Sequence, residues 1–396
     1  MRTELIFCAK PIRVQLLVGC VLLALMLCGE LLVPSNAQNR SSKQQRSSKS
    51  KKPPAKPAAT PSPSPTRSIL DLLGEPPALP SPTPVTTQDI NPGDVISIET
   101  TEVMIPVSVR DANGRLVTHL TRDDFKVFEE EQLQPLRDLA LRQVPVDAIL
   151  MIDGSSSTAK NLEDFRKAAE AFSARLTSDD RLSLIQFDDT VRMLQDWTTS
   201  RFQLKRALLR ITPGVFTRFH DALVLAAKEQ YGSSTSRRAV IVFTDGIDSG
   251  RGASLETAAR ALLEAQVSVY VVSNTEISRA AKLADLDSLT QGDQSMQRFN
   301  KIQIDDLKLG LQALDQSEQI LEKLTAATGG RLYKPRSFDA LESTYAEVAE
   351  ELRHQYALYY TPLNKKREGD FRRVRVETTN PTHQTRTRRG YFAPRS

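Results

Sequence analysis

Two short stretches place oxygen donors where a hard cation could be held. Asp153-Gly154-Ser155-Ser156-Ser157 offers a carboxylate and two hydroxyls at alternate positions, and Thr244-Asp245-Gly246 offers a second carboxylate. An ion such as Mg2+ takes oxygen ligands in near-octahedral geometry and keeps some waters, so side chains on several short loops suit it. Thr217, just ahead of a helical stretch beginning near Asp221, can add a further hydroxyl. Each element alone is commonplace, because hydroxyls after a strand cap the next helix and Asp-Gly makes turns. Their joint placement points to metal.

Other polar residues nearby have plainer readings. Asp188-Asp189 reads as the turn of a hairpin, and Asp248 as a turn residue, with orientation of a water near the ion as its alternative. Ser155 or Ser157 as a nucleophile would need a positioned base. His220 is the only histidine placed by sequence to serve, and at a helix start it reads as a packing or solvated residue. His119, His354 and His383 are scattered without metal-ligand or nucleophile–base spacing. No catalytic residue is therefore assigned, and an enzyme is not expected.

The elements that must position these donors are legible as continuous apolar runs, Ala148–Ile152, Leu182–Phe187, Ala239–Phe243 and Val267–Val272. Amphipathic helical stretches separate them, the first aligning Leu162, Phe165, Ala169, Phe172 and Leu176 on one face. That alternation predicts an α/β domain over 146–353 with a doubly wound, mostly parallel sheet covered on both faces. In such sheets ligands gather beyond the carboxyl ends of the strands, where both donor stretches fall. The polar segment 277–316 breaks the rhythm and predicts a helical insertion, with a disordered excursion as the alternative. Ser317 is expected to cap the next helix, which aligns Ile320, Leu321 and Leu324 and stops at Gly329-Gly330. A last helix follows Ser337.

Period-two patterns flank this domain. Val103, Ile105, Val107 and Val109 alternate before a turn at Asp111-Ala112-Asn113-Gly114, and Tyr356, Leu358 and Tyr360 alternate after His354. Segments 95–145 and 354–396 are expected to form one small β-sandwich-like unit, into which the α/β domain is inserted.

The 396-residue chain opens with Arg2, Lys10 and Arg13, then the apolar run Leu16–Leu27, then Ser35-Asn36-Ala37. That order predicts a signal peptide over 1–37 and an exported protein, periplasmic or secreted, starting at Gln38. An uncleaved membrane anchor over Val14–Val33 is the alternative. Cys8, Cys20 and Cys28 all lie in this leader, so neither disulfides nor thiolate metal sites are expected in the mature chain. Segment 38–94, rich in Ser, Lys and Pro, predicts an extended tether. The net charge of +5 is modest, with basic residues concentrated in Arg40–Lys56 and from Lys365 to Arg395. Without interleaved aromatics the first tract reads as solvated, with weak attraction to an anionic envelope surface or nucleic acid as the sharper alternative; a nucleic-acid partner is not expected.

The pattern Asp153-x-Ser155-x-Ser157, Thr217 and Asp245 resembles the metal-ion-dependent adhesion site of von Willebrand factor type A domains, over roughly Val146 to Leu352. The surroundings are similar to bacterial proteins with domains related to this family, through Gly114-Arg115-Leu116-Val117, Leu120-Thr121, Asp124-Phe125 and the ending Arg389-Gly390-Tyr391-Phe392. Two positions depart from the family pattern: Val215-Phe216 stand where Gly-Gly often precedes the threonine, and Gly154 stands where a bulkier residue is common. The second is expected to matter little. The resemblance implies that Asp153, Ser155, Ser157, Thr217 and Asp245 hold Mg2+, or Mn2+ or Ca2+ in its place. It implies an adhesion-type protein-binding module in which a partner's acidic residue completes the ion's shell, with no small-molecule substrate. The alternative is an envelope assembly scaffold or chaperone-like partner in which the metal is structural or absent.

Overall fold

The computed structural model describes residues 102–141, 144–155, 161–230, 236–250, 252–291 and 294–395. The expected signal peptide, membrane anchor and tether, and Ser157 of the donor set, lie outside the described residues. Among the described residues no helix is long and apolar enough to cross a membrane.

Among the described residues, four strands precede the central domain: β1 (Val103–Arg110), β2 (Phe125–Glu129), β3 (Gln132–Gln134) and β4 (Leu136–Leu141). The central sheet follows with β5 (Val146–Asp153), β6 (Arg181–Phe187), β7 (Val191–Thr198), β8 (Arg237–Thr244), β9 (Ser268–Ser273) and β10 (Leu332–Tyr333). Its order is β10-β9-β8-β5-β6-β7, parallel throughout except for the β6–β7 hairpin. Every residue of β5 is buried, as a strand covered on both faces requires. Ala148, Leu150 and Ile152 join Phe165, Phe172 and Tyr345 in one core; Ile149 and Met151 join Phe219, Leu223 and Leu262 in the other. Helices Leu162–Arg175, Arg201–Leu208 and Leu341–Arg353 cover the first face. Helices Phe219–Leu225 and Leu255–Glu264, with the end of Lys301–Thr328, cover the second. The chain leaves β5 toward β6 on one side and returns to β8 on the other, so the strand order reverses there and a crevice opens at the carboxyl rim.

The described residues of segment 277–316 run through three helices, Thr275–Thr290, Gln294–Phe299 and the long Lys301–Thr328. Ser317 does not cap a helix; it lies inside the last of these. The reason is a 3–4 spaced stripe through Ile304, Leu314, Leu321 and Leu324, which Ser317 continues as a buried member, with no proline to interrupt it. The helix does stop at Gly329, which takes the left-handed conformation of a C-terminal cap.

Beyond the central domain lie β11 (Tyr356–Tyr360), β12 (Phe371–Thr378), β13 (Gln384–Arg386) and β14 (Gly390–Phe392). Two antiparallel sheets result, β13-β1-β11-β4 and β14-β12-β2-β3, so each draws strands from both ends of the described chain. Ile105, Val107, Val127, Leu358, Val374 and Tyr391 belong to their common apolar core. Thr121 and Asp124 form a capping box where the chain enters β2. Glu129, buried in this unit, accepts from the hydroxyls of Tyr360 at 2.7 Å and Tyr391 at 2.8 Å. Arg372 supplies its counter-charge at 3.2 Å.

The sandwich is fastened to the central domain through Glu351, which lies in the last turn of helix Leu341–Arg353 and is fully buried. Its carboxylate takes Arg110 at 2.6 Å and Ser108 at 3.1 Å from β1, and Arg331 at 2.8 Å from the central domain. Burial pushes this carboxyl upward, but the two guanidinium groups outweigh it and hold it below the usual glutamate range. Nearby, the Arg389 amide donates to the Ala327 carbonyl at 2.9 Å, which joins the end of the long helix to the strand region before β14.

Candidate metal centre

Asp153 ends β5 with a fully buried carboxylate. One oxygen accepts the Ser155 amide at 2.9 Å, which folds the loop back over the strand end. The other accepts the Thr244 hydroxyl at 2.8 Å, and Thr244 ends the adjacent strand β8. The Thr244 hydroxyl oxygen in turn accepts the Gly246 amide at 2.9 Å. Asp245, between them, accepts the Ile247 amide at 3.1 Å on its side chain and the Ser317 hydroxyl on its backbone carbonyl. Burial, and then the nearby charge of Asp245, push the Asp153 carboxyl up to about 6, against the lowering effect of its bonds to Ser155 and Thr244.

The third loop is fastened to the other two. The Gly214 amide donates to the Gly154 carbonyl at 2.7 Å, and the amides of Val215 and Phe216 donate to the Asp189 carboxylate at 3.2 and 2.9 Å. Thr217 donates its amide to the Ser249 hydroxyl at 2.8 Å, and the Ser249 amide returns a bond to the Thr217 carbonyl at 3.0 Å. Of the donor set read from the sequence, Asp153, Ser155, Thr217 and Asp245 thus lie buried on the loops of this one rim. The set is all oxygen, and its two carboxylates repel each other in a poorly solvated place. That chemistry fits a hard divalent cation, which would offset both charges.

Several residues that the sequence marks only as turn or packing positions also shape the rim; Asp188 and Asp189 do lie in the turn between β6 and β7. Asp248 reaches the start of helix Phe219–Leu225 from a distant loop: its carboxylate accepts the Phe219 amide at 2.7 Å and lies 3.4 Å from the His220 ring nitrogen. His220 packs beside the Phe219 ring and faces this carboxylate. Asp188 is buried and paired with Arg192 at 2.6 Å and with the Gln186 amide at 2.6 Å. Gly154, expected to matter little, is confined: a Cβ there would come within 2.5 Å of Gln186 Nε2 and 3.2 Å of an Asp188 oxygen. Only the final three-dimensional pairing reveals these roles.

Comparison with known proteins gives a match to the von Willebrand factor type A domain over residues 147–347, slightly more than half of the chain. No curated protein matches in sequence. Among solved structures, proximal thread matrix protein 1 from the mussel byssus, with a zinc-occupied MIDAS motif, is 16% identical with a TM-score of 0.41. That alignment covers 57% of this chain and 50% of the mussel protein, so the chain spans about half the length of that neighbour. A von Willebrand factor type A protein from Catenulispora acidiphila is 12% identical with a TM-score of 0.41, covering 75% of this chain and 64% of that one. The von Willebrand factor domain of the type V pili tip protein Mfa5 from Porphyromonas gingivalis is 25% identical with a TM-score of 0.25, covering 26% and 39%. With the doubly wound sheet and its loop cluster in place, the match over 147–347 establishes that this chain belongs to the von Willebrand factor type A domain family.

Proposed function

We propose that the protein is an exported, adhesion-type binding module that holds a divalent cation on Asp153, Ser155, Ser157, Thr217 and Asp245, and that a partner protein's Asp or Glu completes the ion's shell. Domains of this family mediate protein–protein interaction. The observation that carries the reading is the placement of Asp153 at the end of β5 and of Asp245 directly after the neighbouring parallel strand β8, close enough that the charge of Asp245 adds to burial in raising the Asp153 carboxyl.

Asp153 already accepts bonds from the Ser155 amide and the Thr244 hydroxyl, which orients it to act wholly or partly through water. Ser155, Ser157 and Thr217 are neutral donors and cancel none of the ion's charge. When bound, Mg2+, or Mn2+ or Ca2+, supplies a positive centre with a coordination position for an external carboxylate. Asp189 and Ser249 fix the Thr217 loop in place before any ion arrives, which lowers the ordering cost of binding. No general base is needed for this task. Export rests on the leader, with Gln38 as the first mature residue.

The test is capture of partners from a bacterial envelope fraction with Mg2+ or with chelator, using the wild-type chain and Asp245→Ala. Capture that disappears with chelator and with the substitution is the expected result. Capture that survives both favours the scaffold reading.

A further inference from the structure

Resting on that metal-dependent reading, we infer that Val215 and Phe216 form an apolar lip beside the ion, and that the partner's acidic residue is flanked by a large apolar side chain seated on it. Val215 is 67% and Phe216 is 60% exposed, directly before the buried donor Thr217. Such exposure on a loose loop would mean little. Here five consecutive amides, from Gly214 to Arg218, are all engaged: to the Gly154 carbonyl, to both oxygens of Asp189, to the Ser249 hydroxyl and to the Asp188 carbonyl. The loop also lies tight against Asp188, since a Cβ on Gly214 would come within 2.5 Å of its Cβ. The two side chains are therefore held outward by a fixed backbone, and an approaching segment meets them without reordering the loop.

The occupant follows from what else lines the rim. Arg218 is paired with Asp221 at 2.7 Å and Arg192 with Asp188 at 2.6 Å, so the neighbouring arginines are not reserved for further acidic groups on a ligand. With Arg218 and Arg192 already paired among the described residues, the cation carries the attraction for negative charge in this reading. On the opposite loop, half-buried Ile247 follows Asp245 and Gly246. A segment with a single Asp or Glu beside Leu, Ile, Phe or Met matches this arrangement better than an acidic run. The apolar contact would also shield the ion–carboxylate bond from water, as a hydrophobic surround does at an interface.

The test is selection of a phage-displayed random peptide library on the full chain in Mg2+, eluted with chelator. One enriched peptide is then synthesised, together with one analogue carrying Ser for the apolar neighbour and another carrying Gln or Asn for the acid. Enriched sequences should hold an acidic residue within two positions of a large apolar one. Phe216→Ser should weaken the parent peptide about tenfold, the scale of an aromatic contact at an interface. It should leave the Ser analogue and Mg2+ binding unchanged, and Phe216→Leu should restore most of the loss. Acidic peptides enriched without apolar neighbours, or equal weakening of parent and Ser analogue, would overturn the lip while leaving the ion reading intact. Absence of chelator-eluted acidic peptides would overturn both.

Discussion

The hydroxyl of Ser317 donates to the backbone carbonyl of Asp245, so the middle of helix Lys301–Thr328 holds the loop that carries one of the two rim carboxylates. The packing is close: Gly246 sits at φ +74°, and a Cβ there would come within 2.6 Å of Ser317 Oγ and 2.7 Å of Leu321 Cδ1. The same helix ends where Thr328 bridges to Arg388 in the tail. One rod thus touches the site in its middle and the sandwich at its end.

Ser317→Ala should remove the donor from a buried carbonyl at a cost of about 1–2 kcal/mol and loosen the Asp245 loop. Denaturant titration should show that loss of stability, and calorimetry should show Mg2+ affinity reduced several-fold. Wild-type values for both would mean that the contact does not govern the loop.

Gly154→Ala should destabilise the domain by about 1–3 kcal/mol, because the added methyl overlaps the Gln186 amide. Gln186→Ala removes that obstacle along with the bond to Asp188, so the double variant should lose less than the two single losses combined. Additive losses, measured by denaturant titration, would show that the two residues do not compete for space.

Glu351 gives a pH dependence whose sign is set by its partners. Its folded-state pKa lies below the unfolded value of about 4.5, so the clasp contributes its stability above that value and loses it as pH falls through the folded pKa. Stability of the wild-type chain should therefore fall on acidification below about pH 4.5. Glu351→Gln leaves Arg110 and Arg331 without their buried counter-charge and should cost about 3–5 kcal/mol at neutral pH, with a flatter acid limb. Denaturant titrations of both chains across this range decide the matter; parallel acid limbs would remove Glu351 as the source.

What the sequence made legible was local. Ala148–Ile152 and Ala239–Phe243 announce buried strands because a two-sided parallel sheet needs unbroken apolar runs, and the polar residues that follow them fall at the rim by necessity. The two-residue alternation of β1 and β11 was readable for the same reason. Ser317 departs from its expected role because a serine before an apolar stretch resembles a cap, whereas here it faces a carbonyl on a loop 72 residues away. Gly154 against Gln186, Asp248 under the Phe219 helix, and Ser108 on Glu351 likewise join positions far apart in the chain. No short-range period encodes such pairs.

Calorimetric titration of Mg2+ and Mn2+ into the wild-type chain and into Asp153→Ala tests the central claim most directly. Removing Asp153 takes away a carboxylate that offsets the ion's charge at the sheet's rim, where the fold should tolerate the loss. Saturable heats for the wild-type chain, absent from a folded Asp153→Ala, are the expected result. Equal and negligible heats for both chains would contradict a cation site at this rim.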